Sequence, residues 1–179
     1  MYPIQRNRRL RSSASLRALV QEFSLSPNDF IVPLFVIEGN QTKEEIPSMP
    51  GYFRISTDLL SKQVKTLWSL GLKSVLLFVK VPDALKDNLG TEALNPEGLM
   101  QRAIKTVKEA APEMVVMTDV ALDPYSSFGH DGIVEGGKIV NDPTVKVLSK
   151  MALSHAQAGA DVVAPSDMMD GRILNIRKE

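Results

Sequence analysis

Ser74-Val75-Leu76-Leu77-Phe78-Val79, followed by Lys80-Val81-Pro82-Asp83, decides the fold. The run is short, rich in β-branched and aromatic residues, and nearly continuous rather than alternating in polarity. That is how a strand covered on both faces reads. Phe30 to Ile37, Met114 to Thr118 and Asp161 to Ala164 are runs of the same kind. Between them the apolar spacing becomes helical. Leu59, Leu60, Val64, Leu67, Trp68 and Leu70 form one face that stops at Gly71. A second helix runs from Pro96 through Leu99, Met100, Ala103, Ile104 and Val107. A third starts at Asn141-Asp142-Pro143, with Asn141 as its cap, continues through Val145, Leu148, Met151, Ala152 and His155, and ends at Gly159. A last helical start falls near Asp170.

Alternating strands and helices predict an α/β fold with a parallel sheet and right-handed crossovers. A doubly wound nucleotide-binding sheet usually carries a glycine-rich loop after its first strand, and Glu38-Gly39-Asn40-Gln41 is not one. A (β/α)8 barrel needs about 250 residues, so the 179 residues here correspond to its N-terminal half. Residues 30–179 then read as the first four βα units of a TIM-like barrel.

Composition narrows the chemistry. Twenty-one basic residues balance 21 acidic ones, which argues against a polyanion-binding surface. Arg6, Arg8, Arg9 and Arg11 make a locally basic start, read as a surface arm rather than a nucleic-acid contact. Cysteine is absent, so disulfides, thiolate zinc sites and cysteine nucleophiles are excluded. No apolar run reaches the roughly 18 residues of a membrane span, and no signal-peptide core is evident. A cytoplasmic protein without a membrane partner is the expectation.

In either parallel architecture a ligand binds at the carboxyl ends of the strands. Asp119 directly follows Val115-Val116-Met117-Thr118 and is expected to project into the barrel mouth, where Asp123 and Asp131 could converge on it. Clustered carboxylates repel one another unless a cation neutralises them. Such a cluster suits a substrate ammonium, a hard cation or proton transfer; the alternative is loop carboxylates making turn hydrogen bonds. Ser166 and Asp167 follow the fourth strand, and the plainer reading of Ser166 is a helix cap. Lys80 is a candidate imine lysine, although a surface lysine with its stem along apolar surface is the simpler reading. His130 suits a turn hydrogen bond as well as a metal or proton role. His155 reads as a core or interface residue, and Met168-Met169 as packing.

Asp119-Val-Ala-Leu-Asp-Pro-Tyr-Ser-Ser-Phe-Gly-His-Asp-Gly132, Asn141-Asp142, and Ala158-Gly-Ala-Asp-Val-Val-Ala-Pro-Ser-Asp-Met-Met-Asp-Gly-Arg172 together resemble porphobilinogen synthase, also called 5-aminolevulinate dehydratase. Arg8-Arg9-Leu10-Arg11, Pro33-Leu34-Phe35-Val36, Ser48-Met49-Pro50-Gly51 and Lys86-Asp87 match as well, so the resemblance covers essentially the whole chain. It implies a hydro-lyase that joins two molecules of 5-aminolevulinate into porphobilinogen, with loss of two waters, in tetrapyrrole biosynthesis. It also implies an extended N-terminal arm, here residues 1–29, through which the family self-associates into octamers. Zinc-dependent members carry cysteines at the positions of Ala121, Asp123 and Asp131. The resemblance is therefore to the aspartate-rich subclass, with no catalytic zinc and an allosteric magnesium in the full-length protein. On this resemblance Asp119, Asp123 and Asp131 are catalytic or substrate-side carboxylates, and Ser166 and Asp167 bind substrate.

Two departures stand out. Phe128 replaces a residue that is polar in many relatives. Leu174 to Glu179 leave the expected pattern, and the family's two Schiff-base lysines, which belong to the second half of the barrel, are not in this chain. The expectation is that these 179 residues are inactive alone; the alternative is a non-catalytic half-barrel that binds a partner or completes itself by association.

Overall fold

A computed structural model describes Ile4 and residues 6–179. Of the expected arm, residues 1–3 and 5 lie outside the described residues. The rest of it forms a 3-10 turn over Asn7–Arg11 and a short helix α1 (Ala14–Leu19), neither with a buried residue. Ser13 caps α1 by accepting from the Leu16 amide at 3.1 Å.

The predicted strands and helices are all present. β1 (Ile31–Ile37) leads into β2 (Lys43–Glu45), β3 (Phe53–Ile55) and α2 (Thr57–Ser69). β4 (Ser74–Lys80) is followed by α3 (Leu99–Ala110), and β5 (Val115–Val120) by a small hairpin, β6 (Val134–Glu135) and β7 (Lys138–Ile139), and then α4 (Asn141–Ala158). β8 (Val162–Pro165) and α5 (Arg172–Lys178) complete the described residues. The main sheet has the order β2-β3-β1-β4-β5-β8, parallel except where β2 meets β3. The four long-range parallel strands β1, β4, β5 and β8 thus neighbour one another in chain order. That is winding in one direction, without the reversal of a doubly wound sheet.

Consecutive helices pack on one another and on the strands between them. Right-handed crossovers in one direction place them on one face of the sheet, and burial shows it. Leu34 and Val36, Val75 and Leu77, Val116, Thr118 and Val120 are sealed, while alternate residues such as Phe35, Leu76, Phe78, Met117 and Asp119 are half-buried. The expectation of strands covered on both faces therefore holds for one face only. Each sealed aliphatic side chain contributes roughly 1.5–3 kcal/mol. α3 supplies the matching face through Leu99, Met100, Ala103, Ile104 and Val107. α2 ends as predicted, with Gly71 at φ 90°, and α4 ends at Gly159 with φ 109°, backbone conformations that glycine adopts without strain.

Asn141 is not the helix cap it was expected to be. Val140 holds that position without a side-chain cap, and Asn141 is the first helical residue with its amide engaged elsewhere.

Candidate active site

β5 carries the central residue. It runs two residues further than expected, so Asp119 lies inside the strand, paired in register with Ala164 of β8. Alternation sends Thr118 toward the helices and Asp119 toward the half-open face. Ser166, the first residue after β8, donates its hydroxyl to Asp119 Oδ1 at 2.5 Å. It is not a helix cap, because α5 begins only at Arg172 behind Gly171. Burial pushes the Asp119 carboxyl above its ordinary value; the Ser166 bond opposes this, and the charges of Asp131 and Asp167 reinforce it.

The loop after β5 alternates anchors with carboxylates. Ala121, Leu122, Tyr125 and Ile133 are buried, the last three in one cluster with Leu148 and Met151 of α4, while Asp123 is exposed. At Gly132 the loop passes so close to β7 and α4 that a Cβ would sit 2.7 Å from Ile139 Cγ2 and 3.1 Å from Thr144 Oγ1. That approach lets the Ile133 amide donate to Thr144 Oγ1 at 3.0 Å. The neighbouring loop is zipped on. Asp87 bridges Ser126 through the backbone, and the Asn88 amide both donates to the Val134 carbonyl and accepts from its N–H, each at 2.9 Å. Partial desolvation where the loop folds back on the strand end raises the Asp123 carboxyl although its residue is exposed, and the charges of Asp119 and Asp131 add to it.

A cleft of about 250 Å³ opens at these strand ends, lined by Phe35, Arg54, Phe78, Lys80, Lys86, Asp119 and Asp123 among others. Phe35 and Phe78 stack at 5.0 Å between centroids and give it an aromatic floor. Strand order separates its charges: Arg54 stands on β3 and Asp119 on β5, with two strands, β1 and β4, between them. The cations already have partners, since Glu44 Oε1 lies 2.8 Å from both Arg54 and Lys80, and Lys86 lies 2.8 Å from Asp83. Lys80 is thus a half-exposed ion-paired ammonium, as its simpler reading expected.

Asp123 shares the cleft with Asp119. Asp131 acts on both through charge but does not line the cleft. Asp167 is buried beneath its own loop, where Oδ1 accepts from the Met169 amide at 2.8 Å. Its Oδ2 lies 3.1 Å from Arg172 Nε, but the N–H does not point at it, so the contact is ionic without a hydrogen bond. Burial raises the Asp167 carboxyl, against the nearby Arg172 charge. His130 and Phe128 are exposed; His155 is buried against Thr118, and Met169 is buried as packing while Met168 is exposed. Among the described residues, no group of three or more His, Cys, Asp or Glu is placed to hold a metal. The sequence reading missed Arg54, Lys86 as a cleft residue, and the clasping role of Asn88 and Asn141. An Arg on a three-residue strand and an Asn in a loop carry no periodic signal.

A singly wound parallel sheet with a carboxylate-bearing cleft at its strand ends defines an α/β enzyme-like fold. The chain belongs to the delta-aminolevulinic acid dehydratase family, whose model matches residues 4–179. The match includes residues 174–179, which were expected to leave the pattern. A relative of that name from Methanothermus sociabilis is 53% identical over 178 residues, covering 99% of this chain and 55% of the relative. A chloroplastic one from Physcomitrium patens is 55% identical over 175 residues, covering 97% of this chain and 40% of that one. The solved structure of the Toxoplasma gondii dehydratase in complex with porphobilinogen superposes with a TM-score of 0.93 at 51% identity, over 99% of this chain and 51% of that chain. The chain therefore spans about half the length of such relatives or less.

Proposed function

We propose that residues 1–179 supply the amine- and proton-handling side of a porphobilinogen synthase, which condenses two 5-aminolevulinates to porphobilinogen. The observation that carries the reading is Asp119: a carboxylate on the half-open face at a strand end, with a hydroxyl and, among the described residues, no cation as partner. Its raised pKa makes it a better proton acceptor near neutrality than an ordinary aspartate. A substrate ammonium brought beside it exchanges solvent for a counter-charge, and transfer of its proton to Asp119 frees the nitrogen lone pair to attack the ketone carbon of the other 5-aminolevulinate, whose oxygen leaves as water. Asp123 and Asp131 add negative potential that favours the ammonium, and Ser166 orients the Asp119 oxygens. Asp167 contributes to substrate binding by fixing the Ser166 loop from below.

The same reading makes residues 30–179 the first half of a (β/α)8 barrel, whose remaining strands cover Phe35, Leu76, Phe78 and Met117. The imine-forming lysines belong to that remainder, so this span alone is inactive. The arm, residues 1–29, is proposed to mediate self-association toward an octamer, supported by the exposed Leu19, Phe23 and Leu25. Catalytic zinc has no thiolate ligands here. Magnesium is proposed as an allosteric ion of the whole protein, and the described residues form no ligand cluster for it. Among them no helix is long and apolar enough to cross a membrane. A cytoplasmic location is proposed, although relatives such as that of Physcomitrium patens are chloroplastic.

The test is an NMR titration of the chain, following its aspartate carboxyl carbons. 5-Aminolevulinate is expected to shift Asp119 and Asp123, while levulinate, which lacks the amine, leaves them in place. Asp119→Asn abolishes the response at Asp123. Equal responses to both ligands, or none to either, sink the reading.

A further inference from the structure

Asn141 ties the loop after β8 to the start of α4 by two side-chain hydrogen bonds. Its Nδ2 donates to the Asp170 carbonyl at 3.1 Å, and its Oδ1 accepts from the Asp170 amide at 2.7 Å. The two partners fix the amide orientation, because a carbonyl needs the NH2 and an N–H needs the oxygen. Within the loop, Asp167 Oδ1 takes the Met169 amide at 2.8 Å, and Arg172 donates to the Met169 carbonyl at 2.8 Å. The stretch from Ser166 to Gly171 is thus braced at Asp167 inside and at Asp170 outside. At its base, the Ser166 amide reaches the Val120 carbonyl at 3.3 Å. Without the Asn141 clasp, the Ser166 hydroxyl would depend on that long backbone bond and the inner brace.

We infer that Asn141 is a positioning residue, whose clasp on Asp170 holds the Ser166 hydroxyl on Asp119. The inference rests on the proposed function for its consequence but not for its geometry. Asn141 stands at the first turn of an 18-residue helix whose core face, with Leu148 and Met151, is sealed. That gives the clasp a rigid base, and a rigid base is what turns a loop contact into a defined hydroxyl position. The helix itself does not need this side chain as a cap.

The experiment follows the Asp119 carboxyl carbon by NMR through a pH titration, with no ligand and no turnover required. Besides Ser166, the groups that face Asp119 are Asp123, Asp131, Asp167 and the buried Tyr125, with Arg54, Lys80 and Lys86 across the cleft. All are unchanged in the variants. Ser166→Ala is expected to shift the Asp119 titration upward, since the hydroxyl favours the ionised form. Asn141→Ala and Asn141→Ser should shift it the same way, and Asn141→Ala combined with Ser166→Ala should go no further than Ser166→Ala alone. Leu148→Ala, a core change in the same helix, should lower Tm and leave the titration in place. If Asn141→Ala and Asn141→Ser leave Asp119 where it is, or if the double variant shifts by the sum, the clasp does not act through Ser166. Failure of 5-aminolevulinate to bind would sink the functional reading and leave this result intact.

Discussion

Thr118 and Asp119 are neighbours on β5 and meet opposite worlds. Thr118 faces the helices, where its hydroxyl lies 3.1 Å from Nδ1 of His155, and the other ring nitrogen has no partner among the described residues. Asp119 faces the half-open side and takes the Ser166 hydroxyl. Burial acts on both ionisable groups by the same physics, disfavouring the charged form. It drives the His155 imidazole down to about 4 and the Asp119 carboxyl up. The difference is access. His155 is neutral in a sealed pocket, where no ligand can use it, whereas Asp119 is destabilised on a face that a ligand can reach. A strained charge marks a functional group only where something can relieve the strain.

The largest expected effect tests that distinction directly. In a protein carrying the whole barrel, Asp119→Asn should lower turnover by about 10²–10⁴-fold, the range of a lost acid–base group, with the fold intact. The same change should stabilise the chain at neutral pH. A carboxyl held above its unfolded value favours the folded state only while protonated; that contribution is lost as pH rises through the folded pKa, so the ionised form is a liability at pH 7. Denaturant unfolding at pH 7 checks the sign, and a less stable Asp119→Asn would undo the comparison.

His155 should behave in the opposite sense. Its folded pKa lies below the unfolded one of about 6.5, so its contribution is complete above about 6.5 and is lost as pH falls toward about 4. Between those limits stability should fall by up to about 1.4 kcal/mol per pH unit. His155→Ala should cost about 2–4 kcal/mol at pH 7 through the cavity it leaves, and it should flatten that slope. Unfolding curves at pH 5 and pH 7 measure both. An unchanged slope in the variant would mean that the imidazole is not sealed.

The same contrast explains what the sequence disclosed. Ser74 to Val79 and its companions were legible as strands because burial imposes a polarity pattern on every residue of a run. Asp119 was legible because it ends such a run, and the family motif around it is long. What stayed hidden was made by contacts distant in sequence. Ser166 looked like a helix cap, since nothing local says that its partner is 47 residues away. Asn141 looked like a cap for the same reason. The second face of the sheet was read as covered because the residues pointing to it, Phe35, Leu76, Phe78 and Met117, are as apolar as those facing the helices. Composition records that a face is meant to be buried, not which segment buries it.

The smallest effect is also the sharpest. Thr118→Val keeps the side chain's shape but removes the hydroxyl, leaving both imidazole nitrogens of His155 without partners in a place water does not reach. A buried group left unsatisfied costs about 1–3 kcal/mol, and Val restores part of that by being apolar, so the expected loss is about 1 kcal/mol at pH 7. The Asp119 titration should not move, because the two side chains stand on opposite faces of one strand. Ser166→Ala should give the mirror result: little change in Tm, since the hydroxyl is at an exposed position, and a clear shift at Asp119. If Thr118→Val shifts Asp119, the two faces communicate through the β5 backbone, and the sealed side is part of the site after all.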